Sequence, residues 1–196
     1  EGIYLPFMAL IETEYAKIDS PVEGLDLAIA NPLTSPIPID PCANSVIVAG
    51  MINDFDCQKL RSLPGITVVE NPLQSAENLS QSVAQYIDPE GPWDAIVIDF
   101  NDSIDLSSDN VLSIKVMASV EGILKVKLEG GDSIEIERDI GISQLNTWVE
   151  YRFNFAGQAN EDHRKIAIFL NAGVTNQGND TYYIDDVALQ NAVSTY

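Results

Sequence analysis

The sequence predicts an all-β protein, an antiparallel β-sandwich of about ten short strands with an extended N-terminal arm. Three observations carry this. Apolar residues recur with a period of two rather than 3.6 over most of the chain. Turn signals rich in Gly, Asn and Asp separate the alternating runs. No strand–helix–strand alternation occurs, which excludes a doubly wound parallel sheet and a helical enzyme fold.

The chain reads as two parts. In residues 1–45 the stretch from Ile3 to Ile11 is almost entirely apolar, and Pro32, Pro36, Pro38 and Pro41 follow a polar piece. Prolines at that density favour stiff extended chain over helix or central strand. We read an apolar arm and connector, with Ile3, Tyr4, Leu5, Phe7, Met8 and Leu10 as its contact residues. The arm either covers one end of its own core or adds to a neighbour's sheet.

The sandwich is expected over 46–196. Its early strands fall near 46–53, 66–70, 80–87 and 94–100. Leu112, Ile114, Val116 and Ala118 then alternate with Ser113, Lys115 and Met117. Leu124, Val126 and Leu128 alternate with Lys125, Lys127 and Glu129. Ile134 and Ile136 alternate with Glu135 and Glu137. Val149, Tyr151, Phe153 and Phe155 alternate with Glu150, Arg152 and Asn154. Ile166, Ile168 and Leu170 continue the pattern. Only 142–145 hints at a helical turn. Half-buried strands of this kind pack as two sheets over one core.

Thirty acidic residues against ten basic ones give a formal net charge of −20 in 196 residues. Such a chain is not a general nucleic-acid binder, because phosphate selects Lys and Arg. It also avoids anionic membrane surfaces, and no apolar run reaches the roughly 18 residues a membrane helix needs. The start at Glu1 reads as a mature exported chain, extracellular or at a cell surface. Cys42 and Cys57 allow a single intramolecular pairing, closing a loop worth roughly 3 kcal/mol; the alternative is two unpaired thiols. One histidine, His163, cannot complete a Cys/His zinc set, and it reads as an ordinary surface loop residue. Three Asn-x-Ser/Thr triplets begin at Asn78, Asn101 and Asn179.

Four stretches carry a resemblance. They are Ile52-Asn53-Asp54-Phe55-Asp56; Val68-Val69-Glu70-Asn71-Pro72 with Glu77-Asn78-Leu79-Ser80; Asn146-Thr147-Trp148 with Tyr151-Arg152-Phe153; and Tyr182-Tyr183-Ile184-Asp185-Asp186-Val187. In this order they resemble the carbohydrate-binding-module-like β-jelly rolls, galactose-binding-like sandwiches of secreted bacterial glycan-active and surface proteins. The resemblance covers about 45–190. It implies a structural Ca²⁺ where the first and last strands meet, with Asp56 and Asp186 as ligands and Asp54 assisting, since Ca²⁺ takes carboxylate and carbonyl oxygens. It implies packing for Trp148.

Sugar recognition needs an exposed aromatic ring for a sugar's C–H face. The candidates are Trp93, Tyr86 and Tyr182, with Tyr183 on the face opposite Tyr182. Catalysis finds no footing: there is no GxSxG, HExxH or phosphate-cradling loop, and acid pairs such as Glu135 and Glu137 arise freely among thirty acids. The reading is therefore non-catalytic. One expectation is a structural subunit that assembles with copies of itself into a filament or surface layer, donating its N-terminal strand to a neighbour. The other is a carbohydrate-binding module whose partner is a polysaccharide.

Overall fold

The computed structural model describes residues 42–43, 45–176 and 178–191. The chain divides into two units, Glu1–Ala43 and Asn44–Tyr196. The second unit is an antiparallel β-sandwich. Its strands are β1 (Met51–Asn53), β2 (Thr67–Glu70), β3 (Ser82–Ile87), β4 (Ile96–Asp99), β5 (Val111–Ala118), β6 (Gly122–Glu129), β7 (Ile136–Ile142), β8 (Val149–Asn154), β9 (Lys165–Leu170) and β10 (Thr181–Gln190).

One sheet runs β2-β3-β10-β5-β8, with β1 also paired to β10. The other runs β4-β9-β6-β7. The strict alternation of β6 puts Leu124, Val126 and Leu128 inside and leaves Ile123, Lys125, Lys127 and Glu129 outside. Ile96 and Ile98 of β4, Ile166 and Ile168 of β9, Ile114 of β5 and Phe153 of β8 join them in one core cluster. Each such side chain contributes about 1.5–3 kcal/mol through burial.

Strand β10 carries a break in alternation. Tyr182 and Ile184 face inward, and so do Val187 and Leu189, a spacing of three. A bulge absorbs the extra residue between Asp185 and Ala188, with Asp186 at φ 46°. Below the bulge β10 pairs with β3, and above it with β1. Close approach at the β1 end requires Gly50, where a Cβ would lie 1.8 Å from the Leu189 carbonyl oxygen.

Three sequence expectations shift. Strand β7 begins at Ile136 and runs to Ile142, so the 142–145 segment is not a helical turn; Leu145 instead bridges to Ala118. Ile134 precedes the strand and is 91% exposed, although it continues the alternation on paper. His163 is fully buried, not a surface residue; its Nε2 lies 3.0 Å from Gln158 Oε1.

Candidate functional site: the outer face of the four-stranded sheet

Trp93 stands at the entrance to β4. Gly91 donates its N–H to Asp94 Oδ2 (2.9 Å), which tightens the turn ahead of the strand. Gly173, in the loop after β9, donates its N–H to the Pro92 carbonyl (2.8 Å) and fixes the other side. That loop passes so near the indole that a Cβ at Gly173 would sit 3.4 Å from the ring, at a φ of +83°. The ring meets Phe169 edge to face, with centroids 6.4 Å apart and planes at 83°. Trp93 is nonetheless 62% exposed. An indole braced from two sides while most of its surface faces solvent is a preformed platform.

The sheet register extends that platform. Phe169 of β9 stands opposite Lys125 of β6, which stands opposite Asp139 of β7. In the next row Val97, Ala167, Lys127 and Glu137 lie side by side. Strands lie about 4.8 Å apart, so the row from β4 to β7 spans about 14 Å. Its β4–β9 half is apolar, and its β6–β7 half is charged.

The charges are locally closed. Lys125 Nζ bridges Glu137 and Asp139, the latter at 3.2 Å. Lys127 Nζ bridges Glu129 (2.9 Å) and Glu135 (2.6 Å). Hydrogen bonds that the ammonium groups donate to these carboxylates push both lysines above their ordinary range, so both stay charged at any physiological pH. Lys165 pairs with Asp99 at 3.2 Å.

The other sugar candidates are corrected. Tyr86 is 4% exposed and Tyr182 is fully buried. They are register partners on the inner side of β3 and β10. Period-two alternation gives parity but does not say which face is inside, and here the core takes both rings. Burial and the neighbouring carboxylates, Asp88 first among them, raise both phenols. Neither ring can meet a ligand from solvent.

The three carboxylates expected to share calcium are also separated. Asp54 Oδ1 accepts the N–H groups of Asp56, Cys57 and Gln58 at 2.7–3.0 Å, closing the turn after β1. Asp56 accepts from the N–H groups of Gln81 and Ser82, at 3.0 and 2.7 Å, where the chain enters β3. Asp186 pairs with Lys115 at 2.7 Å. Among the described residues no group of three or more His, Cys, Asp or Glu side chains is gathered to hold a metal ion. Asp54, Asp56 and Asp186 are thus not gathered into one cluster: the first two accept from backbone N–H groups and the third is in an ion pair.

The buried acid of the closing pair is Asp185, which the sequence reading left without a role. It is fully buried. Asn78 Nδ2 donates to its Oδ2 (2.8 Å) and the Asp186 N–H donates to its Oδ1 (2.9 Å). Burial, and then Asp186 beside it, push this carboxyl up to about 7. Asn78 is itself 1% exposed, so its triplet is closed to glycosylation in the folded chain, while Asn101 and Asn179 are exposed. Trp148 is buried and donates Nε1–H to the Leu73 carbonyl (2.8 Å), which locks the 71–81 loop over the sheet. Replacing Trp148 by Phe should cost about 1 kcal/mol in chemical denaturation, because the bond that ties the indole to the Leu73 carbonyl is lost. An unchanged midpoint would show that the loop is held some other way.

Cys42 and Cys57 are both disulfide-bonded. The arm residues Ile3, Tyr4, Leu5, Phe7, Met8 and Leu10 lie outside the described residues. No described helix is long and apolar enough to cross a membrane.

No family model matches the chain, and no curated protein matches it. Solved structures do resemble it. An exo-β-agarase aligns with a TM-score of 0.53 at 8% identity over 75% of this chain, which spans only a quarter of that protein. A family 29 carbohydrate-binding module aligns with a TM-score of 0.45 at 13% identity, over 74% of this chain and 92% of the module. SGBP-B from a xyloglucan utilization locus of Bacteroides uniformis aligns with a TM-score of 0.46 at 11% identity, over 72% of this chain and 49% of that one. The fold itself is an antiparallel β-sandwich. At these identities the likeness concerns the fold.

Proposed function

We propose that this chain is a non-catalytic glycan-binding module of an extracellular or surface protein, and that a polysaccharide lies across the outer face of the four-stranded sheet. The observation that carries the reading is Trp93, an indole 62% exposed yet braced by Phe169. A sugar's C–H face packs on Trp93 and reaches Phe169, and its hydroxyls meet the carboxylates and ammonium groups of β6 and β7. This is the usual composition of such sites: an apolar surface and a few placed polar groups.

Strand-donated assembly rests on arm residues outside the described region, so the glycan-binding reading takes precedence. Depletion of the protein by insoluble or bead-coupled polysaccharides tests it. The full chain should be retained by at least one polysaccharide and released by soluble fragments of it. Full recovery in the supernatant across a broad panel, neutral and acidic, would overturn the reading.

A further inference from the structure

The same face carries a second message in its charges, one that depends on the glycan-binding reading and narrows it. Three lysines point outward from the four-stranded sheet, and each is engaged by carboxylate. Lys125 is held between two acids and Lys127 between two others, and Lys165 pairs with Asp99. Three cations therefore face five carboxylates: Asp99, Glu129, Glu135, Glu137 and Asp139. The ammonium groups nearest the aromatic pair are also the more enclosed, with side-chain exposures of 14% for Lys125 and 18% for Lys127.

A sulfate or uronate entering this surface would have to displace a carboxylate from each lysine that it met. It would do so beside acids that repel it, in a chain whose net charge is −20. A hydroxyl has no such conflict. It donates to a carboxylate oxygen and accepts from a lysine N–H while the ion pairs stay in place. From this closed arrangement of charges beside an open aromatic platform, we infer that the ligand is a neutral polysaccharide and that the face rejects anionic ones. The acids of β7 are then specificity determinants: they keep the lysines from serving as an anion site.

The test compares neutral agarose, xyloglucan, galactan and mannan with acidic carrageenan, polygalacturonate and alginate, at 20 mM and 500 mM salt. The probes are the bead-coupled polysaccharides and the full chain. At low salt the best neutral polymer should retain the protein at least tenfold more strongly than any acidic one. Raising the salt should leave neutral binding within about twofold and, if it changes acidic binding at all, should increase it, because screening weakens repulsion. The Glu137→Gln/Asp139→Asn double variant, which frees Lys125, should narrow the neutral-to-acidic ratio at least fivefold.

An acidic polymer that binds as well as the neutral ones at low salt, and is lost at high salt, would overturn this inference and leave the glycan-binding reading intact. An unchanged ratio in a folded double variant would also overturn it. Failure of every polymer, neutral and acidic, would take down the glycan-binding reading and this inference with it.

Discussion

Trp93→Ala should lower glycan affinity about 30-fold, equivalent to about 2 kcal/mol, with little change in thermal stability. The size is that of a central aromatic anchor in an interface. The asymmetry follows from the structure. The indole is 62% exposed in the free chain, so its removal opens no cavity in the core, and its largest contact waits for a ligand. Phe169 then loses its edge-to-face partner, a contact worth about 0.5–1.5 kcal/mol, part of which the native state also loses. Trp93→Phe should recover part of the affinity, because a smaller ring still offers a flat face. A Trp93→Ala variant that binds as the parent does would move the site elsewhere on the molecule.

The second large effect concerns Asp185 and pH. Its carboxyl is pushed from an ordinary value of 3.8 to about 7 by burial and by Asp186. A group raised in the folded state binds a proton there that the unfolded chain has already released. Stability from this source is therefore fully present below about pH 4, and it is lost as pH rises toward 7. At 1.36 kcal/mol per pH unit the loss reaches up to about 4 kcal/mol. Asp88, buried beside Asp180 and Asp94 and raised to about 6, adds a decline of the same sign in the lower part of that window.

Denaturant melts between pH 4.5 and 8 should thus show stability falling. In Asp185→Asn the fall should be shallower by most of the Asp185 contribution. At low pH that variant should be the weaker protein, since an amide there opposes its own N–H to the Asn78 donor. At pH 8 the gap should close or reverse. Parallel profiles for parent and variant would show that Asp185 does not titrate in this window.

Much of the sandwich was legible because half-buried strands leave a period-two signature, which β6 and β8 show clearly, while β5 and β9 are buried at most positions. The signature misplaced β7. Ile134 and Glu135 alternate like strand residues but precede the pairing, and the register with β6 starts at Leu128 and Ile136. Alternation also fixes which residues share a face and not which face is inside. Tyr182 falls on that ambiguity, and the bulge compounds it: the inward set jumps from Ile184 to Val187. That spacing of three was visible in the sequence and marks where the period breaks.

The site was legible only in part. Trp93 was one of three aromatic candidates, and what the structure adds is its 62% exposure at the entrance to β4. Phe169 shares parity with Lys165 and could have been read as outward. Its meeting with Trp93 and Lys125 depends on strand order β4-β9-β6-β7, and no local pattern contains that order. The carboxylates expected to share calcium are dispersed for a related reason. Asp54 and Asp56 sit two residues apart but serve different loops, and Asp186 turns through its positive φ toward Lys115.

The protein has two tryptophans, Trp93 and Trp148, one exposed and one buried. Their indole N–H resonances are therefore two separate reporters on the folded chain. Titration with soluble fragments of the polysaccharide that retains the protein should shift the Trp93 indole signal and the amides of Phe169, Ala167 and Lys125. The Trp148 signal should stay fixed. Saturable binding that leaves Trp93 unmoved, with shifts confined to the six-stranded sheet or to the Trp148 loop, would contradict the assignment of this face as the glycan site.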